Sequence, residues 1–257
     1  MGFEHHRVVI TSAGRDFGRT LALRFAARGA EVHLSARTLE AAARVREEIL
    51  RQGHDADRVH AYACDLADPV SVREFAAGVR ARTDRVDVLL NNGSRYHHGA
   101  DLLSASDEDV VATLASGATG TVLVTKAFLP LLLNSDGPDI VTVVSACGES
   151  GHHRSDAHDA FYAAKSAQAG FTEILSRWLR RHGVRVISLY PPDFDNHDPL
   201  SPHWEGAPRT AKDPLTAQSL VDCVVFAVGQ PTGAAHLFLS CRIPGRKQRR
   251  AARQFGS

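Results

Sequence analysis

Groups able to bind phosphate or move protons fall at the turns of this chain. Thr11-Ser-Ala-Gly-Arg-Asp-Phe-Gly18 follows a short β-branched run and leads into a segment with Phe17, Leu21 and Phe25 four apart. A strand that turns sharply into a helix there directs free N–H groups and the positive end of a helix dipole at one point, which suits a phosphate. Read alone, the octapeptide fits a tight structural turn equally well. Arg15 in the turn and Arg37 after the next apolar run carry guanidinium forks that match phosphate geometry.

Histidine is frequent, 14 in all, and His97, His98, His152, His153, His158, His197 and His203 lie in polar stretches. An imidazolium titrates near neutral pH, so each is a candidate proton donor as well as a solvated loop residue. His152-His153 has no ligand-type partner at helical spacing, and no metal centre is expected. Cys64, Cys147, Cys223 and Cys241 are dispersed and make neither a zinc knuckle nor a disulfide framework, which fits a reducing cytoplasm.

These groups must be positioned by alternating elements. Strands are predicted over Arg7–Thr11, Glu31–Ser35, Val59–Ala63, Val86–Leu90, Ile140–Val144, Val184–Tyr190 and Ala235–Leu239. Helices are predicted between them: one after the first turn, one capped by Thr38, one begun by Asp68-Pro69, then about Ser106–Leu133, Asp159–His182 and Thr216–Val228. Near-continuous apolar strands need both faces covered, as parallel strands with right-handed helical crossovers are. The pattern reads as one α/β domain, a Rossmann-type doubly wound parallel sheet of about seven strands, over residues 1–241.

Pro191–Pro214 is the longest aperiodic stretch and follows the C-terminal end of a strand, where open α/β sheets bind ligands; it is the substrate-loop candidate, over 191–214. Residues 242–257 hold six basic side chains and no acid, and read as a flexible terminus. Residues 1–241 keep 24 basic against 29 acidic side chains, net −5, and the whole chain is +1, so no field recruits nucleic acid or an anionic membrane. No apolar run approaches the roughly 20 residues that cross a bilayer.

The turn, with Asp65-Leu66 after the third strand and Asn91-Asn92-Gly93-Ser94 after the fourth, resembles the short-chain dehydrogenase/reductase family over about residues 6–240. That family's turn reads Thr-Gly-x-x-x-Gly-x-Gly; here Ser12 and Asp16 replace two glycines while Gly18 is kept. The resemblance implies an NADP(H) site formed by Thr11, Ser12, Arg15, Asp16, Phe17, Gly18, Arg37, Asp65, Leu66, Asn91, Gly93, Lys165, Pro191 and Phe194. Arg15 and Arg37 match the two basic positions of NADP-preferring members. It also implies a small-molecule substrate and a homodimer or homotetramer.

In that family a tyrosine gives a proton to the developing alkoxide, a serine orients the carbonyl, a lysine holds the nicotinamide ribose, and an asparagine completes a water relay. Ser145 and Lys165 match the serine and lysine. The tyrosine position, four before Lys165, is Phe161; Tyr162 is three before it. Gly117 stands where the asparagine belongs, and Pro191-Pro192 replaces Pro-Gly. Phenylalanine has no exchangeable proton, so an oxidoreductase acting on C=O, C=N or C=C with altered proton delivery is expected. A non-redox cyclase, isomerase or lyase on the same scaffold, and a noncatalytic NADP-binding subunit, are the alternatives. Tyr162 is a candidate substitute donor, because i,i+3 neighbours share a side of a helix.

Overall fold

The computed structural model describes residues 2–96, 102–152, 155–210, 213–231 and 237–240. Seven strands form one parallel sheet: β1 (Arg7–Ile10), β2 (Glu31–Ala36), β3 (Val59–Ala63), β4 (Val88–Asn91), β5 (Asp139–Val143), β6 (Arg185–Tyr190) and β7 (Leu237–Ser240). Their order is β3-β2-β1-β4-β5-β6-β7. The order reverses between β1 and β4, the crevice where open α/β sheets take ligands.

Helices α1 (Asp16–Ala26), α2 (Leu39–Arg51) and α3 (Pro69–Arg80) follow the first three strands. Thr38 caps α2 by accepting from the Ala41 N–H at 3.3 Å, and Asp68 caps α3 by accepting from Val70 N–H at 2.8 Å with Pro69 at the first helical position. Val32, Leu34, Phe25 and Leu21 pack on one face of the sheet with Leu220 and Val224; Phe75, Phe128, Leu89 and Ile140 fill the other. At the N-terminal end of the sheet Asp139 accepts two hydrogen bonds from Arg185, 2.6 and 2.8 Å, which fixes the β5–β6 register.

The helical stretch expected over Ser106–Leu133 is α4 (Asp107–Leu114), a wider π-helical turn over Ala115–Thr119, and α5 (Gly120–Leu132). Asp107–Leu132 is 26 residues and contains an 18-residue window of mean hydropathy 1.3, by length and composition long and apolar enough to cross a membrane; the expectation that no such run exists is corrected. In this fold Val124, Phe128 and Leu132 of that stretch pack in the sheet core. The next long helix, α6 (Asp159–Leu179), ends earlier than predicted and tightens into a 3₁₀ turn, Arg180–His182, closed by Gly183 in the left-handed region. The supposedly aperiodic 191–214 loop contains α7 (His203–Gly206), with Trp204 buried, and precedes α8 (Ala217–Val228). His97, His98, His153, Cys241, residues 235–236 of the predicted last strand and the basic tail lie outside the described residues.

Candidate active site

The turn after β1 takes the shape its glycine-poor sequence makes costly. Ser12 has φ +53° and Asp16 φ +49°, so both residues at the expected glycine positions adopt the left-handed region. Such a conformation costs an ordinary L-residue about 1–2 kcal/mol, less for Asp. Gly18 has no latitude: a Cβ there would collide with the Ser12 carbonyl and lie 2.6 Å from Asn92 Nδ2. Gly14, which the sequence reading passed over, would place a Cβ 2.8 Å from that of Ala36, so the turn lies against the end of β2. Arg15 and Arg37, each the chain neighbour of one of those residues, are both exposed. Arg15 also meets the Asp16 carboxylate at 3.3 Å.

Thr11 is structural. Its hydroxyl donates to the Leu90 carbonyl at 3.3 Å and accepts from the N–H groups of Asn92 (3.0 Å) and Gly93 (3.3 Å), stitching the ends of β1 and β4 together. A Cβ on Gly93 would strike Leu66 and the Ser12 hydroxyl. Asp65 accepts from the Ala67 N–H at 2.9 Å, with Leu66 buried beside Gly93 and Gly120. Asn91 is buried and donates to Thr125 at 3.0 Å, while its Oδ1 and the Ser94 hydroxyl are buried without a hydrogen-bond partner among the described residues.

The start of the long loop is bound to α1. Phe194 meets Phe17 edge-on at 5.3 Å, Asn196 accepts from Thr20 at 3.1 Å, and Arg19 reaches Asp198 at 3.1 Å. Pro191 is buried and its carbonyl accepts from Ala146 N–H at 2.8 Å, next to Ser145.

Ser145 has φ +79° and ψ 152°, a region populated almost only by glycine, and its hydroxyl accepts from Cys147 N–H at 3.3 Å. Lys165 is 3% exposed and donates to the Val143 carbonyl at 2.9 Å and to Gln168 Oε1 at 3.0 Å. Burial pushes its ammonium down to about 7. The Phe161 ring lies 5.2 Å from Lys165 Nζ, with Tyr96 edge-on to that ring at 5.0 Å.

Tyr162 directs its hydroxyl to Ser155. Its hydroxyl accepts from the Ser155 N–H at 3.1 Å and donates to the Ser155 carbonyl at 3.3 Å, and it neighbours the buried Cys147 thiol. Burial raises its pKa, opposite to what an activated tyrosine needs. The one-residue step from Phe161 to Tyr162 rotates the side chain about 100° around the helix, yet both rings belong to one cluster with Cys147 and Ala157.

Gln168 was invisible as a site residue in the sequence. Its amide donates to the Gly117 carbonyl at 2.9 Å and to Thr121 at 2.8 Å, while its oxygen receives Lys165. An added Cβ at Gly117 would lie 2.8 Å from the Ser94 hydroxyl and 3.0 Å from Ala164, so an asparagine there would need its neighbours to shift. Gln168 thus ties the lysine to the π-helical turn directly. Among the candidate histidines, His158 is buried and caps α6 by accepting from Ala160 N–H at 3.1 Å, whereas His197 and His203 are exposed.

A dinucleotide fits these residues. The glycine-walled turn, the orphaned Asn91 and Ser94 oxygens at the end of β4 and the exposed arginine pair offer a cradle, hydrogen-bonding partners and positive charge along the sheet crevice.

The short chain dehydrogenase family profile matches residues 6–198. This chain belongs to that family. It is 33% identical over 192 residues to meso-2,3-butanediol dehydrogenase of Serratia marcescens, covering 74% of this chain and 72% of that protein. It is 30% identical over 189 residues to a fatty acyl-CoA reductase of Acinetobacter baylyi, covering 72% and 61%. Several of the curated relatives are matched over only 61 to 66% of their own length. Among solved structures, a metagenomic short-chain oxidoreductase in complex with NADP superposes with a TM-score of 0.75 at 26% identity, covering 93% of this chain and 98% of that one.

Proposed function

We propose that this chain is an NADP(H)-dependent oxidoreductase of a small C=O, C=N or C=C compound whose proton does not come from the residue four before the lysine. The observation that carries the reading is the pair of aromatic positions: Phe161 covers Lys165, and the Tyr162 hydroxyl is held by Ser155. When bound, the cofactor supplies hydride from its nicotinamide. Arg15 and Arg37 hold the 2′-phosphate; Ser12, Asp16, Phe17 and Gly18 shape the pyrophosphate turn; Asp65 and Leu66 meet the adenine. Asn91, Gly93, Lys165, Pro191 and Phe194 serve the nicotinamide half, with Thr11 fixing the crevice from behind.

Lys165 is neutral or charged according to small changes around pH 7, so it binds ribose hydroxyls as either donor or acceptor. Ser145 is positioned by its strained backbone to orient a polar acceptor atom. A cationic iminium takes hydride without a simultaneous proton on nitrogen, and an enone takes hydride at carbon; both acceptors tolerate Phe161. The test is NADPH consumption with an iminium and an enone beside a simple ketone. Turnover of the first two well above the ketone supports the reading, and ketone turnover above both refutes it.

The NADP-bound relative supports the choice of cofactor, as does a guanidinium rather than a carboxylate at position 37. Self-association through α5 and α6 belongs to the same proposal. Val122, Ile174 and Trp178 are exposed on those helices, and a second copy would cover them.

A further inference from the structure

The sheet face beneath α3 carries a cluster that the proposed reaction leaves unused. Glu31 and His33 are two apart on β2 and so share that face. His60, on the edge strand β3, pairs in register with His33. The two imidazoles stack at 4.7 Å with 29° between planes, and both aim Nε2 at Glu31 Oε1, at 3.0 Å from His33 and 3.5 Å from His60. His33 is fully buried, and the side chains of His60 and Glu31 are 10% and 21% exposed. The Tyr62 hydroxyl sits 3.1 Å from His33 Nδ1.

We propose that Glu31, His33 and His60 form a binding site for a zinc-type divalent ion that clamps β2 to β3. The three ligand atoms all lie within 4.8 Å of one another. A tetrahedral ion with bonds of about 2.0–2.1 Å needs its ligands about 3.4 Å apart, so two contacts are already near that spacing. Two imidazoles, a carboxylate and a water complete the coordination. Tyr62 supplies the outer contact that orients a ligating histidine: with Nε2 on the ion, the ring proton sits on Nδ1 and is donated to the phenol oxygen.

Arg7 approaches the other Glu31 oxygen at 3.6 Å, and Arg82 lies near Tyr62 and His33. This positive surround disfavours calcium or magnesium, whose affinity rests on negative charge, and leaves ions that bond strongly to imidazole. Both clamped strands run on into proposed cofactor residues, Arg37 after β2 and Asp65 after β3. Metal binding itself stands apart from the activity proposed above.

The experiment is zinc titration of metal-free, tag-free protein by calorimetry and melting, with His60→Gln and Glu31→Gln alongside. One equivalent is expected in the parent chain, with a melting rise of about 5 to 10 °C at a hundredfold excess over Kd, and neither is expected in the variants. No binding by the parent, or undiminished binding by folded variants, overturns the site. If neither variant folds, cobalt(II) decides in a chain whose adjacent N-terminal histidines, a competing pair of imidazoles, are removed as His5→Gln/His6→Gln: tetrahedral visible bands at one equivalent support the cluster, and their absence overturns it.

Discussion

Replacing Phe161 with tyrosine tests whether the chain lacks only an acid. A para hydroxyl on an undisturbed ring, whose centre is 5.2 Å from Lys165 Nζ, would lie about 6 Å from that nitrogen. Opposite unit charges at that separation and an effective dielectric of about 20 interact by about 3 kcal/mol. That is about two pKa units of help toward the phenolate, present below about pH 7, where Lys165 is charged. A positioned acid contributes about 10² to 10⁴ in rate. Phe161→Tyr should therefore raise NADPH-dependent ketone reduction by at least about a hundredfold, most strongly below about pH 7, where Lys165 keeps its charge. Phe161 is only 7% exposed, so a hydroxyl without a partner there costs about 1–3 kcal/mol and lowers the melting temperature. Steady-state kinetics across pH, with NADPH binding measured separately, check this. A variant that binds NADPH and melts cooperatively yet reduces ketones no faster refutes the reasoning.

Three further outcomes follow. Arg37→Ala should weaken NADPH by about tenfold or more, the worth of a charged hydrogen bond, and leave NADH nearly unchanged in a fluorescence titration; equal losses would remove Arg37 from the 2′-phosphate. Lys165 has a folded pKa of about 7, below its unfolded value of about 10.4, so the unfolded chain binds more protons between those limits and stability rises with pH from 7 to about 10 as the cost of burying this charge is relieved. Urea melts of the parent chain should show that rise relative to Lys165→Met by at most about 1.4 kcal/mol per pH unit, and parallel profiles would deny the depressed pKa. Ile174→Asp, on the exposed side of α6, should convert the proposed assembly to monomer in light scattering while keeping NADPH affinity; an unchanged mass would place the interface elsewhere.

Much of the architecture was legible because near-continuous apolar strands and capped amphipathic helices each report on themselves. Thr38, Asp68 and Thr216 all cap the helices they precede. The degenerate turn was legible too: Ser12 and Asp16 stand where glycines were expected, and both took the left-handed backbone. What the sequence withheld depends on segments meeting across the fold. Gln168 receives Lys165 three residues away but bonds to Gly117, 51 residues away, and nothing local announces that partnership. The π-helical turn at Ala115–Thr119 holds Ser116, Gly117 and Thr119, which weaken a helix without announcing its wider form, and Trp204 orders α7 by burying itself rather than by periodicity. The direction of the Tyr162 hydroxyl was open until Ser155 was seen to hold it.

The separation between the Tyr162 oxygen and Lys165 Nζ, measured in a crystal structure with NADP and a ketone analogue, bears most directly on the proton argument. The account predicts that Phe161 still faces the lysine and that Tyr162 stays on Ser155. A Tyr162 oxygen within hydrogen-bond reach of both Lys165 and the ketone would contradict it.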